Sequence, residues 1–194
     1  MKKIINEPTQ VVDEMLQGLS FMHDDLVERL VGFDVIVRKA EKTGKVGLIS
    51  GGGSGHEPSH AGFVGDGMLS AAICGAVFTS PTPDQILEAI KAADEGAGVF
   101  MVIKNYSGDI MNFEIAQELA EMEGIDVASV VVDDDIAVEN SLYTQGRRGV
   151  AGTILVHKIL GAAARSGKSL AEMKDLADKL VLEIKTIGLA LSGA

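Results

Sequence analysis

The chain has 194 residues, 46% of them hydrophobic, which suits a folded unit with a real core and excludes a disordered polypeptide. Its 28 Asp and Glu residues outweigh 17 Lys and Arg, leaving a net charge of −11. That balance excludes the basic surface needed by nucleic acid or an anionic membrane, and an anionic ligand would need local positive groups or helix N-termini.

Short apolar runs alternate with longer amphipathic stretches. This is the rhythm of an α/β fold: a sheet of about five to six strands, largely parallel or mixed, flanked by helices and followed by C-terminal helices. The start, Met-Lys-Lys-Ile-Ile-Asn-Glu-Pro, lacks an apolar segment after its lysines, so no signal peptide is expected. Thr9 to about Asp25 predicts a helix with Val12, Met15, Leu16 and Leu19 on one face. Val35–Arg38 predicts a short strand, and Val46–Ser50 a stronger one running into a glycine-rich turn, Gly51-Gly52-Gly53-Ser54-Gly55-His56. Met68–Cys74 predicts another buried strand. Its Cys74 is the single cysteine, read as a buried structural thiol in a reducing compartment.

Thr82 is placed to cap a helix with Pro83 as its first residue and Gln85 completing a capping box, running to about Ala93. Val99–Ile103 predicts a strand, Lys104–Asp109 the loop after it, and Ile110–Glu123 a helix stopped by Gly124. Ile125–Val132 predicts the last clear strand. Asp133-Asp134-Asp135 follows, read as a solvated turn more readily than as a magnesium site. Gln145–Gly152 is a glycine-rich loop whose Arg147 and Arg148 would meet a phosphate, meet a partner or serve the loop itself. Helices are expected over about Thr153–Ala164 and over Leu170–Ile187. The second carries a Ser169/Glu172 capping box and an apolar face of Met173, Leu176, Leu180, Ile184 and Ile187. The apolar ending Gly188–Ala194 lacks the polar character usual at a domain end, and reads as a chain cut partway through a longer protein. No window reaches the roughly 18 apolar residues of a transmembrane helix. With the lone cysteine, this predicts a cytoplasmic protein.

Two segments carry candidate chemistry. In Gly51–His60, glycines follow a strand and would let backbone approach a ligand, at the carboxyl end where open α/β sheets bind. The Gly-Lys-Ser/Thr ending of a nucleotide P-loop is missing, as is the dinucleotide GxGxxG pattern. His56 adds a side chain suited to proton transfer near neutral pH, although a tight turn with a surface histidine fits the same pattern. In Lys104–Asp109, a lysine at the end of a buried strand needs a ligand oxygen or a carboxylate partner, and Asp109 stands either as a catalytic group or as a helix cap. Both loops leave strands at the same edge, so His56 and Asp109 would form an acid–base pair at one pocket. His60, one helical turn from His56, is expected in a supporting or surface role. His23 and His157 are expected to be structural or exposed.

Leu48–Gly65, followed by Gly67-Met-Leu, resembles the signature of the dihydroxyacetone kinase K-subunit family. The segments Val77–Ile86, Lys104–Asp109 and Gly146–Thr153 fit the same family. The similarity covers essentially the whole chain, as the N-terminal portion, residues 1–194, of a K domain. It implies that Gly53, Ser54, Gly55, His56, Lys104 and Asp109 contact dihydroxyacetone, with His56 and Asp109 serving in proton transfer at its hydroxyl. It also implies a homodimer, no metal or cofactor on this chain, and a nucleotide-binding L partner holding ADP or ATP and magnesium. The partner would be recharged by a phosphotransferase system or fused as an ATP-using polypeptide. The family anchors its substrate covalently on a second histidine in the later half of the protein, and none of His23, His56, His60 or His157 lies in that motif. The family also contains K-like co-activators that sense dihydroxyacetone without catalysis.

Overall fold

The computed structural model describes residues 3–139 and 146–191. Gln145, the first residue of the expected glycine-rich loop, lies outside them, as do the last three residues of the apolar C-terminal run. In chain order the elements are α1 (Val11–Met22), β1 (Val27–Arg29), β2 (Val35–Arg38), β3 (Gly47–Ser54), β4 (Ala71–Val77), α2 (Pro83–Ala93), β5 (Val99–Lys104), α3 (Ser107–Met122), β6 (Val127–Val132), α4 (Gly152–Arg165) and α5 (Leu170–Glu183). The six strands form one sheet in the order β1-β2-β4-β3-β5-β6. The four strands from β4 to β6 are parallel, and β1 and β2 join antiparallel at one edge. This is the mixed α/β sheet expected from the rhythm of the sequence.

The parallel strands are apolar on both faces because both are covered. Along β5, Val99, Met101 and Ile103 point into a core shared with Ile86, Ile90 and Phe113 of α2 and α3. The alternate residues Phe100 and Val102 point into the other core, with Leu16, Val156, Leu160 and Met173 of α1, α4 and α5. Cys74 is buried in this second core, and burial pushes its thiol up to about 12, so it is the structural thiol expected.

Several boundaries differ from the sequence reading for local reasons. Helix α1 stops at Met22, short of Asp24 and Asp25, where acidic side chains would face the negative end of the helix dipole. Strand β1 was not anticipated, since three residues are too few for periodicity to register. Strand β3 does not turn at its glycines. It runs through them to Ser54, paired in parallel with β4 as far as Val77. The glycines are needed for close approach: a Cβ on Gly53 would lie 2.5 Å from the backbone nitrogen of Thr79. Helix α2 has the expected box, with Gln85 Oε1 accepting from the Thr82 backbone N–H at 3.2 Å. The Ser169/Glu172 box of α5 is also present. Helix α5 ends at Glu183, however, because Thr186 pairs with Asp135, and Ile187 is left exposed rather than on the helix face.

The acidic run after β6 is not a solvated turn. Asp134 and Asp135 are almost fully buried. Asp134 accepts from the backbone N–H of Val150 at 2.8 Å and of Gly152 at 2.7 Å, and from the Thr186 hydroxyl at 2.5 Å. It therefore caps α4 from another element, a service no residue next to that helix performs. Asp135 accepts from Arg148 Nη2 at 2.6 Å and Nε at 2.8 Å, which makes Arg148 a structural residue of the loop. Asp134→Ala should leave these donors unmet and lower stability by about 3 kcal/mol. Urea denaturation monitored by circular dichroism measures this, and a loss below about 0.5 kcal/mol would contradict the capping role.

Candidate active site

The chain leaves β3 toward β4 on one side and leaves β5 toward β6 on the other. The carboxyl ends of these neighbours form the crevice where strand order switches, which is the usual ligand position in such sheets. His56 follows β3, Lys104 ends β5, and Asp109 lies in the first turn of α3, so the topology brings all three to this crevice.

Lys104 is the centre of the cluster. It is 8% exposed, and its Nζ donates to His56 Nε2 at 3.2 Å. The other ring nitrogen, His56 Nδ1, lies 3.1 Å from the carbonyl oxygen of Ser59. A carbonyl only accepts, so Nδ1 carries the proton and Nε2 offers its lone pair to the site. Partial burial of the ring and the Lys104 charge lower the His56 pKa, which keeps the ring neutral and able to take up a proton. Glycine at 52 leaves the ammonium its place, because a Cβ there would lie 2.6 Å from Nζ and displace it.

Asp109 is buried, and it is not the helix cap. Helix α3 starts at Ser107 with Tyr106 in the cap position, which makes Asp109 the third residue of its first turn, with its carboxylate turned to the crevice. Its Oδ1 accepts from the Ser80 hydroxyl at 2.5 Å. Burial raises its pKa, while Ser80, Lys104 and His56 oppose that rise. A carboxylate moved up from its usual range is a stronger base. Burial lowers the Lys104 pKa, and Asp109 opposes this.

Gly53, Ser54 and Gly55 lie where β3 ends, but Ser54 turns its hydroxyl away, donating to the Gly75 carbonyl at 2.7 Å inside the sheet. A ligand at Ser54 would therefore meet backbone. Ser80 is a member of the cluster that the sequence reading missed. Its segment signalled only a helix start, and nothing in sequence reveals a contact with a residue 29 positions away. Tyr106 was also missed, and its ring centroid lies 5.8 Å from Lys104 Nζ. The glycine-rich loop borders the site: a Cβ on Gly149 would lie 3.0 Å from the Lys104 Cα, and the Asn105 amide donates to the Arg147 carbonyl at 2.7 Å.

His60 is not a helical neighbour of His56. It stands in a turn, 3% exposed, with Nδ1 2.9 Å from Nε2 of the fully buried His157 on α4. Both rings have depressed pKa values through burial, that of His157 reaching about 3.

The Dak1 domain family matches residues 17–194. The chain belongs to this family. It is 71% identical over 193 residues to the dihydroxyacetone-binding subunit DhaK of a PTS-dependent dihydroxyacetone kinase from Lactococcus lactis, covering 100% of this chain and 58% of that relative. It is 45% identical over 193 residues to the DhaKLM operon coactivator DhaQ of the same organism, covering 98% of this chain and again 58% of the relative. The crystal structure of the dihydroxyacetone kinase of C. freundii superposes with a TM-score of 0.85 at 41% identity, over 92% of this chain and 33% of that one. The chain thus spans little more than half the length of the curated subunits it matches. Among the described residues, no helix is long and apolar enough to cross a membrane.

The buried histidines make stability pH-dependent. His157 is neutral in the fold down to about 3 but charges in the unfolded chain below its ordinary 6.5. Protons therefore bind the unfolded state preferentially, and stability is lost as pH falls below 6.5, by up to about 1.4 kcal/mol per pH unit. Replacing His157 with Gln should flatten the urea midpoint between pH 7 and pH 4. An unchanged slope would show that His157 is not held neutral.

Proposed function

We propose that this chain is the N-terminal, dihydroxyacetone-binding portion of a cytoplasmic, homodimeric dihydroxyacetone kinase. In this reading a phosphoryl group passes to dihydroxyacetone, giving dihydroxyacetone phosphate. The donor is an L partner that holds the nucleotide and magnesium, recharged by a phosphotransferase system. The observation that carries the reading is the convergence of His56, Lys104 and Asp109 on a glycine-lined strand end, in a chain so close to a dihydroxyacetone-binding subunit.

Each group has a role that its chemistry suits. Backbone at Gly53, Ser54 and Gly55 lets a small polyol approach without side-chain obstruction. Lys104 donates to substrate oxygens throughout the reaction, so it acts on binding. As the acceptor hydroxyl oxygen forms its bond to phosphorus, the bond from phosphorus to the donor breaks and the hydroxyl proton must leave. Asp109, with its raised pKa, and His56, with an unprotonated Nε2 beside Lys104, are the bases placed to receive it. Similarity to the DhaQ coactivator favours a second reading, a dihydroxyacetone sensor without catalysis. The intact acid–base set weighs for the kinase, because a sensor has no use for proton transfer.

Asp109→Asn should lower turnover by about 10² to 10⁴ while changing substrate affinity little, since the amide still hydrogen-bonds the ground state. Lys104→Ala should instead weaken binding. Steady-state kinetics on the complete enzyme separate the two, and an Asp109→Asn variant within a few-fold of wild type would remove Asp109 from the mechanism. In the family the substrate is held covalently by a histidine from the later half of the protein. This chain alone, given the L partner and a phosphoryl source, is therefore expected to be inactive. A six-heavy-atom ligand held without that bond gains at most about 1.5 kcal/mol per atom and usually far less. Formation of dihydroxyacetone phosphate by the 194-residue chain in a coupled assay would refute this.

A further inference from the structure

His60 and His157 take no part in the proposed chemistry, yet two imidazoles sit against a core that elsewhere is apolar. A buried polar pair is costly unless its hydrogen bonding is satisfied. Here His60 Nδ1 and His157 Nε2 meet at 2.9 Å, with ring centroids 5.1 Å apart. Neither ring's other nitrogen has a partner among the described residues, so each histidine's directional tie is to the other. Two leucines would fill such space without this cost.

What the pair does follows from where its ends lie. His157 is on α4, whose N-terminus is fastened by Asp134 at the end of β6. His60 closes the turn that begins at His56 and lies 97 positions from His157. The residue before His60, Ser59, supplies the carbonyl that accepts from His56 Nδ1. The His60 ring also meets the His56 ring edge-on, with centroids 5.7 Å apart and planes at 77°. His56 is itself exposed, so burial does not fix it. Both of its neighbours on the side away from Lys104 move if His60 moves.

We propose that the buried His60–His157 pair is a positioning element, tying the 56–60 turn to α4 and so holding His56 in its Nδ1-protonated form with Nε2 presented to Lys104. The positioning is a property of the free protein. Its consequence for turnover rests on the kinase reading above.

The experiment is long-range ¹H–¹⁵N correlation spectroscopy of the histidine rings across a pH titration of the 194-residue chain. The other charged groups facing His56, namely Lys104, Asp109 and Glu57, are left unchanged. Wild type is expected to show His56 chiefly with Nδ1 protonated and a midpoint below 6.5. His157→Leu fills the core but ends the tie, so His56 should become a tautomer mixture with its midpoint shifted up toward 6.5. His157→Gln can hydrogen-bond His60 and should restore the wild-type spectrum. If His157→Leu does not fold, as judged by circular dichroism, His157→Met takes its place, because its flexible chain adapts to irregular space.

An unchanged His56 tautomer and midpoint in the apolar variant would overturn the proposal, as would a Gln variant that behaves like it. In the complete enzyme, the apolar variant should lower kcat roughly 10-fold or more with KM little changed. A silent wild-type assay would count against the kinase reading alone, leaving the spectra to decide this one.

Discussion

A cation inside the protein is the constraint on which the rest of the site depends. The Lys104 ammonium stands at the end of a strand buried on both faces, where a charge is tolerated only with partners. Its partners come from both sides, His56 Nε2 from the turn after β3 and the Asp109 carboxylate from the first turn of α3. The room it occupies comes from glycine. A side chain at Gly52 would collide with the ammonium, and one at Gly149 would push the loop off the Lys104 backbone. Gly52 and Gly149 therefore serve one requirement, that backbone close around this residue, while Gly53 lets the Thr79 backbone come close on the other side of the strand.

The same cation sets the electrostatics. Together with partial burial it lowers the His56 pKa, and it works against the burial that raises Asp109. Two groups able to accept a proton near neutral pH thus lie around one positive charge, the pairing expected of an acid–base site. The chain as a whole is strongly acidic, so a phosphoryl group approaching it gains attraction only from such a local positive centre.

The acidic run after β6 shows how composition misleads when position is unknown. Three consecutive aspartates look solvated, and on a free loop they would be. Here Asp134 and Asp135 are drawn in because α4 starts beneath them with unmet backbone donors, and because Arg148 needs a carboxylate. They fasten the glycine-rich loop and α4 together. Through His157, α4 then reaches the turn that carries His56.

By itself, the sequence determined what rests on local physics. Short apolar runs marked β2 and β5, a 3.6-residue period marked the face of α5, and capping boxes at Thr82 and Ser169 placed two helix starts, because such signals act within a turn or a strand. It also singled out His56, Lys104 and Asp109, since polar residues at the ends of apolar runs stand out. Only the tertiary structure decided what depends on distant partners. It carried β3 through its glycines, where β4 is the partner, and placed Asp109, which the sequence left open as cap or catalyst, facing Ser80 and Lys104. It also buried His60 against a residue 97 positions away. A contact across that separation leaves no periodic trace in the chain. It arises only when sheet order brings two segments to the same place.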